Sequence, residues 1–144
     1  MSLELLRPLL GRWEGQATVF VAGRDPMVVR HTELVRTRNA GTILTIEGRS
    51  FSISDGADPV FTAFAVVTPE PDGTLRIHSY SSGYFVETAC EVAVGRFAWT
   101  IPGPPQVRYE ATFDAQHWTE VGCSNGRKVF HMELAPVHAV GVRM

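Results

Sequence analysis

The chain has 144 residues, of which 44% are hydrophobic and 19% charged, and its formal net charge is −2. These values indicate a single globular domain over residues 1–144 with enough chain to bury a core. The longest basic run is Arg127-Lys128, which argues against nucleic acid or an anionic membrane as a partner. No apolar run approaches the ~20 residues of a spanning helix, and the N-terminus lacks signal-peptide features, so we expect a cytoplasmic protein.

The first predicted element is a short N-terminal helix. Leucines recur at helical spacing between Leu3 and Leu10, and Gly11 is a suitable stop signal. Pro8 limits this helix to about two turns. Because one face of such a helix is apolar, we expect it to lie across one end of the structure that follows.

From Trp13 onwards the pattern changes to strands separated by turns. The clearest turn signals are Pro69-Glu70-Pro71-Asp72-Gly73 and the hairpin sequence Asn125-Gly126. The predicted strands are 13–21, 27–37, 43–50, 60–68, 75–81, 84–90, 96–101, 107–113, 118–124 and 128–135. Consecutive hairpin-linked strands favour closure, because closure removes exposed sheet edges. We therefore predict an all-β protein, a roughly ten-stranded antiparallel up-and-down barrel with the short helix over one end.

The start of the strand region carries a family resemblance. Gly11-Arg12-Trp13-Glu14-Gly15, placed after a short helix and before the strands, resembles the calycin superfamily of lipocalins and fatty-acid-binding proteins. The final hairpin, with Trp118-Thr119-Glu120, Asn125-Gly126 and Phe130-His131-Met132-Glu133-Leu134, resembles uncharacterised bacterial lipocalin-like families of unknown function. The resemblance implies a lipocalin-like barrel domain.

A more distant similarity is to haem-binding barrels of the nitrobindin type, whose opening motif is Gly-x-Trp-x-Gly-x-Gly. Ala17 replaces the third glycine of that motif here. That family has a haem-ligating histidine on its last strand, and His131 lies in the corresponding stretch, so the resemblance implies haem as an alternative cofactor. Alternation with Phe130 and Met132, however, places His131 outside the barrel unless the last strand is shifted by one residue or bulged.

The alternation of apolar residues predicts the lining of the interior. Trp13 is expected to plug the closed end, where its indole N–H needs a partner. Trp99, Tyr109 and Met132 are expected to point inward and line the wall. Ten strands enclose more volume than side chains easily fill, so an apolar cavity is predicted, with a fully packed core as the alternative.

The second strand interrupts this apolar pattern. If Arg30 and Arg36 point outward, then His31 and Glu33 point inward and provide a polar handle for a ligand. Glu120, on the ninth strand, is a candidate for the same role. Two alternatives remain at this stage: a register shift by one residue that exposes the pair on the second strand, and a solvated carboxylate at position 120.

Motifs of known enzyme classes are absent. The chain has no Gly-x-Ser-x-Gly elbow, no glycine-rich phosphate loop and no His-Glu-x-x-His sequence. Cys90 and Cys123 lie in strand-like segments without metal-binding spacing, and we expect both to be buried free thiols. A binding protein is therefore favoured over an enzyme.

The favoured function is the binding of a small, largely apolar molecule inside the barrel, without a cofactor. The predicted ligand-binding residues are His31, Glu33, Trp99, Tyr109, Glu120, Met132 and Trp13. One alternative is a haem-binding or enzymatic barrel that uses His131 or His31. Another is an interaction protein with a packed core and no ligand, whose outer sheet forms a homodimer.

Overall fold

The chain forms a closed antiparallel barrel behind a short N-terminal helix. The computed structural model describes residues 2–54, 58–81 and 83–138, and a 3₁₀ helix spans Ser2–Leu9. The strands are β1 (Gly11–Val19), β2 (Met27–Arg38), β3 (Ile43–Ser52), β4 (Pro59–Pro69), β5 (Leu75–Ser81), β6 (Tyr84–Ala93), β7 (Arg96–Ile101), β8 (Val107–Phe113), β9 (Trp118–Ser124) and β10 (Arg127–Pro136). Each strand pairs with its neighbours in sequence, and β1 also pairs with β10, which closes the barrel. The predicted all-β class, strand number, barrel and helix are confirmed.

Local sequence accounts for the hairpins and for the side chains that face the interior. At the turn between β9 and β10, Asn125 and Gly126 have φ angles of 51° and 75°, the left-handed pair that a tight hairpin requires. Along β9, Trp118, Glu120 and Gly122 are buried and alternate with more exposed residues. Because side chains alternate across a strand, the period of two in the sequence fixes the inward set.

The half of the barrel next to the helix is packed solid. Leu6 and Leu9 of the helix are fully buried, and the helix lies against β4 and β6. Below it, the rings of Trp13 and Trp118 meet edge to face, with centroids 5.6 Å apart. The indole N–H of Trp13 donates a 2.8 Å hydrogen bond to the carbonyl of Leu9, which ties the end of the helix to β1. Trp13 is therefore the predicted plug, and its N–H has the partner that burial demands.

Replacing Trp13 with Phe should lower the free energy of unfolding by about 2 kcal/mol, because a buried hydrogen bond and part of a buried ring are lost together. Urea denaturation measures this change. Trp99→Phe is the matched control, since Trp99 is only half-buried and its ring is replaced by another that can stack. Equal losses in the two variants would contradict the role of Trp13 as the plug.

The two cysteines differ from the expectation of two buried thiols. Cys90 is buried, and burial raises the pKa of its thiol to about 12, with a smaller contribution from the charge of Glu91. Cys123 is exposed, because Glu120 and Gly122 on the same strand point inward and the alternation turns residue 123 outward. The expectation was wrong for Cys123. Within the described ranges, no helix is long and apolar enough to cross a membrane.

Candidate ligand-binding site

The half of the barrel away from the helix is hollow. It contains a cavity of about 750 Å³. Met27, Val60 and Phe61 line it and are 54%, 59% and 42% exposed, so the cavity opens at the strand ends remote from the helix. A fully packed core is the alternative to a cavity that the sequence allows. Close packing is confined to the helix end of the barrel.

One wall of the cavity is a row of aromatic rings. Phe97 stacks on Trp99 with centroids 5.1 Å apart, Trp99 stacks on Tyr109 at 5.3 Å, and Phe130 meets Tyr109 edge to face at 5.9 Å. Gly122 provides the space for this row, because a Cβ there would lie 2.7 Å from Cε1 of Tyr109. The row gives this side of the cavity an aromatic, largely apolar wall.

The floor of the cavity carries a hydrogen-bonded chain of three polar side chains. Nδ1 of His31 lies 2.8 Å from Oγ of Ser50, and Nε2 of the same ring lies 2.5 Å from Oε2 of Glu33. His31 and Ser50 are 5% and 6% exposed, and they are directly paired across β2 and β3. Alternation turns His31 and Glu33 of β2 and Ser50 of β3 to the inner face, and the register of the two strands brings them into contact.

Glu33 occupies space that a glycine leaves free. Gly48 is its cross-strand partner on β3, and a Cβ at that position would lie 2.7 Å from Oε2 of Glu33. The second oxygen, Oε1, is buried and accepts no hydrogen bond from any of the described residues. One oxygen of this cavity-lining carboxyl group is thus bound to His31, and the other has no donor among the described residues.

Glu120 completes the polar floor from β9. It is 8% exposed, and its burial raises the pKa of the carboxyl to about 8, with a further contribution from the negative charge of Glu33. The nearby indole N–H of Trp118 offsets only part of this effect, because it forms no well-aligned hydrogen bond with Glu120 or with any other described residue. Burial, and then the charge of Glu120, also raise the pKa of the Tyr109 hydroxyl. At neutral pH the Glu120 carboxyl is therefore mostly protonated.

Glu33→Gln tests the electrostatic coupling across the floor. Removing the charge of Glu33 should lower the pKa of Glu120 from about 8 toward its ordinary value of 4.5. A carbon-detected NMR titration of the Glu120 carboxyl measures the change. Glu14→Gln is the control, because Glu14 pairs with Arg30 on the outer face. An unchanged pKa of Glu120 in Glu33→Gln would contradict the coupling.

The structure brings five of the seven predicted binding residues together. His31, Glu33, Trp99, Tyr109 and Glu120 all line the cavity. The other two, Met132 and Trp13, are buried but absent from the lining. Both point inward as predicted, but they lie in the packed half of the barrel, where the helix leaves no room for a ligand.

The residues do not fit the haem alternative. His131 is on the outer face, with its side chain 29% exposed and Nε2 2.9 Å from Oε2 of Glu133. A bulge between Lys128 and Phe130 does interrupt β10, but it leaves His131 outside the cavity. The histidine inside the cavity, His31, has both ring nitrogens within hydrogen-bond distance of protein groups and offers none to iron.

Two residues that shape the floor were missed in the sequence. Ser50 binds His31, and Gly48 makes room for Glu33. The signal was present, because both continue the inward alternation of Leu44 and Ile46 on β3. A glycine on an otherwise apolar inward face marks a place where another group approaches closely, and here that group is the side chain of Glu33.

Comparison with known proteins gives a similar fold. No protein family matches the chain, and no curated protein matches its sequence. Among solved structures, the barrel is similar to the crystal structure of Rv2717c from M. tuberculosis, with a TM-score of 0.72 at 12% sequence identity. The match covers 95% of this chain and 98% of that chain. The barrel fold is therefore shared with Rv2717c over nearly the whole length of both chains.

Proposed function

We propose that the protein is a cytoplasmic, lipocalin-like binding protein that holds a small, largely apolar molecule in the open half of its barrel. The observation that carries the proposal is the cavity of about 750 Å³ with an aromatic wall and a small polar floor. Cavities of roughly 300–1,000 Å³ that combine apolar walls with a few convergent polar groups are the usual form of a small-molecule site.

The apolar body of the ligand would lie along the aromatic row, and its polar end would reach the floor. Trp99 and Tyr109 both line the cavity and offer aromatic, apolar surface to that body. His31, Glu33 and Glu120 offer hydrogen bonds that fix the orientation. Met27 and Phe61 at the mouth are exposed apolar residues, which the ligand passes on entry.

A cavity-filling variant tests the proposal. Ala65 lines the cavity and is 9% exposed. Ala65→Phe should weaken the binding of naphthylmethanol by at least about tenfold, since the added ring takes the place of the ligand. Ligand fluorescence measures the affinity, and Ser79→Phe is a second filling variant on the same wall.

Ala135→Phe is the matched control, because Ala135 is exposed on β10. Circular dichroism verifies that each variant is folded. The proposal fails if the wild type binds no naphthyl probe, whatever its polar end, or if the folded cavity-filling variants bind such a probe as well as the wild type does.

The chain from Ser50 through His31 to Glu33 favours a second candidate function, hydrolysis of an apolar ester. An ionised Glu33 can only accept, so Nε2 of His31 carries the hydrogen between them. Nδ1 is then the acceptor, and the Ser50 hydroxyl donates to it across 2.8 Å. A serine hydrogen-bonded to a histidine that a carboxylate orients is the arrangement of an activated nucleophile.

In that reaction Oγ of Ser50 would bond to the ester carbonyl carbon while its proton passes to Nδ1 of His31. The bond from that carbon to the alkoxy oxygen then breaks, and the departing alcohol takes the proton from His31. Water attacks the acyl-serine by the same route and releases the carboxylic acid and free Ser50.

Hydrolysis of naphthyl acetate separates the two candidates. The esterase candidate predicts a turnover that Ser50→Ala reduces by about a hundredfold or more, and covalent labelling of Ser50 by a fluorophosphonate. Mass spectrometry identifies the labelled residue. Hydrolysis that is unchanged in Ser50→Ala, or absent from the wild type, would contradict the esterase candidate and leave the binding proposal standing.

A further inference from the structure

The titratable groups that face the cavity include carboxyl groups but no permanently cationic side chain. They are His31 and Glu33 on β2, Tyr109 on β8 and Glu120 on β9. No lysine or arginine of the described ranges lines the cavity. Two of the four groups are carboxyls and none carries a permanent positive charge, so the site has acceptors and negative charge to offer but lacks a strong cationic donor.

The hydrogen bonds at the floor show the same imbalance. Both nitrogens of His31 are already engaged, by Ser50 and by Glu33. Oε1 of Glu33 is a buried acceptor without a donor among the described residues. A buried acceptor without a partner is costly, and a donor supplied by a ligand relieves that cost.

We infer that the ligand is an apolar amine, whose ammonium group donates to Oε1 of Glu33 and lies between the carboxyl groups of Glu33 and Glu120. This inference rests on the proposed binding function and names the chemical class of its ligand. The ammonium supplies a positive charge where the described lining has no lysine or arginine.

Ligands with other polar ends fit the floor less well. A carboxylate would bring a third carboxyl group to a buried place without a permanent cation, where desolvation and repulsion both oppose it. An alcohol can donate one hydrogen bond to Glu33, but it carries no charge to attract the second carboxyl.

Binding of an amine should also expel a proton from Glu120. The cation favours the ionised form of this carboxyl, whose pKa in the free protein is raised to about 8 by burial and by the charge of Glu33. The ionised carboxylate also gives the indole N–H of Trp118 the acceptor that it lacks. The affinity for an amine should therefore rise with pH up to about 8, because Glu120 is then already ionised before the ligand binds.

A matched series of probes tests the inference. Naphthylmethylamine, naphthylmethanol and the carboxylate of naphthylacetic acid share their aromatic body and differ in their polar end. At pH 7 the amine should bind about tenfold or more tightly than the alcohol, and the alcohol more tightly than the carboxylate. Isothermal titration calorimetry in buffers of different ionisation enthalpy should show release of about one proton with the amine and none with the alcohol.

Glu120→Gln is the diagnostic variant. It should abolish the proton release and most of the preference for the amine, but retain the affinity for the alcohol. Glu14→Gln, on the outer face, should behave as the wild type. A purely structural role of Glu120 would not produce this separation between the two probes.

The outcomes distinguish this inference from the proposed function. If none of the three probes binds, the binding function itself is wrong. If the alcohol binds and the carboxylate binds as tightly as the amine, or if no proton is released with the amine, the site binds apolar molecules but the inference of an amine is overturned.

Discussion

The protein is expected to lose stability as the pH rises from about 5 to 8, and Glu120→Gln is expected to remove most of that loss. The pKa of this carboxyl is about 8 in the folded protein, against an ordinary value of 4.5 that applies to the unfolded chain. Between these values the folded state holds a proton that the unfolded state releases. Unfolding is therefore favoured by rising pH, and the stabilisation that exists below pH 4.5 is lost by pH 8.

The magnitude makes this the largest single electrostatic effect that we expect. A separation of this size between the folded and unfolded pKa values corresponds to about 5 kcal/mol, of which about 4 kcal/mol is lost between pH 5 and pH 8.5. Urea denaturation at pH 5 and at pH 8.5 measures it. Glu120→Gln should be more stable than the wild type at the higher pH, since the amide cannot ionise, and similar to it at the lower pH.

Glu14→Gln is the control for this comparison, because its outer-face carboxylate is 45% exposed. Its dependence of stability on pH should match that of the wild type. If Glu120→Gln shows the same dependence as the wild type, then Glu120 is not a buried, protonated carboxyl in the folded protein.

Gly15→Ala should disrupt the closure of the barrel. Gly15 lies on β1 between His31 of β2 and Leu134 of β10. A Cβ at this position would overlap the backbone carbonyl oxygen of Glu133 and lie 3.0 Å from the Cα of Leu134. Backbone cannot rotate aside as a side chain can, so β1 and β10 must separate. We expect a loss of roughly 3 kcal/mol or more in the free energy of unfolding.

Gly23→Ala is the matched control for that substitution. Gly23 has a φ of +78°, and no atom lies within 4 Å of the place that a Cβ would take, so only backbone strain opposes an alanine there. That strain amounts to about 1–2 kcal/mol. Thermal or urea denaturation compares the two variants. A Gly15→Ala protein as stable as the Gly23→Ala protein would contradict the close approach of β1 and β10.

The sequence was sufficient to predict the barrel because its turns and its alternation both indicate consecutive antiparallel strands with one buried face. Turn signals such as Asn125-Gly126 separate segments whose inward residues recur with a period of two, and closure removes the edges that an open sheet of these strands would expose. The same alternation correctly turned His31 and Glu33 inward and His131 outward. A period of two is robust in a barrel, because a slip by one residue would expose the whole core.

The parts that the sequence could not predict depend on distances along and between strands. Which half of the barrel is hollow depends on how far the leucines of the 3₁₀ helix reach, and this is why Met132 and Trp13 lie in the packed half instead of on the cavity wall. The contact of His31 with Ser50 depends on the register of β2 against β3. Alternation shows that both face inward, but only the register shows that they are opposite each other.

The most direct measurement of the central claim is a crystal structure of the protein with naphthylmethanol. The account predicts the naphthyl ring against Trp99 and Tyr109 in the open half of the barrel, with the hydroxyl within hydrogen-bond distance of Oε1 of Glu33. A probe bound on the outer surface of the barrel, or an interior closed by side chains with no room for the ring, would contradict it.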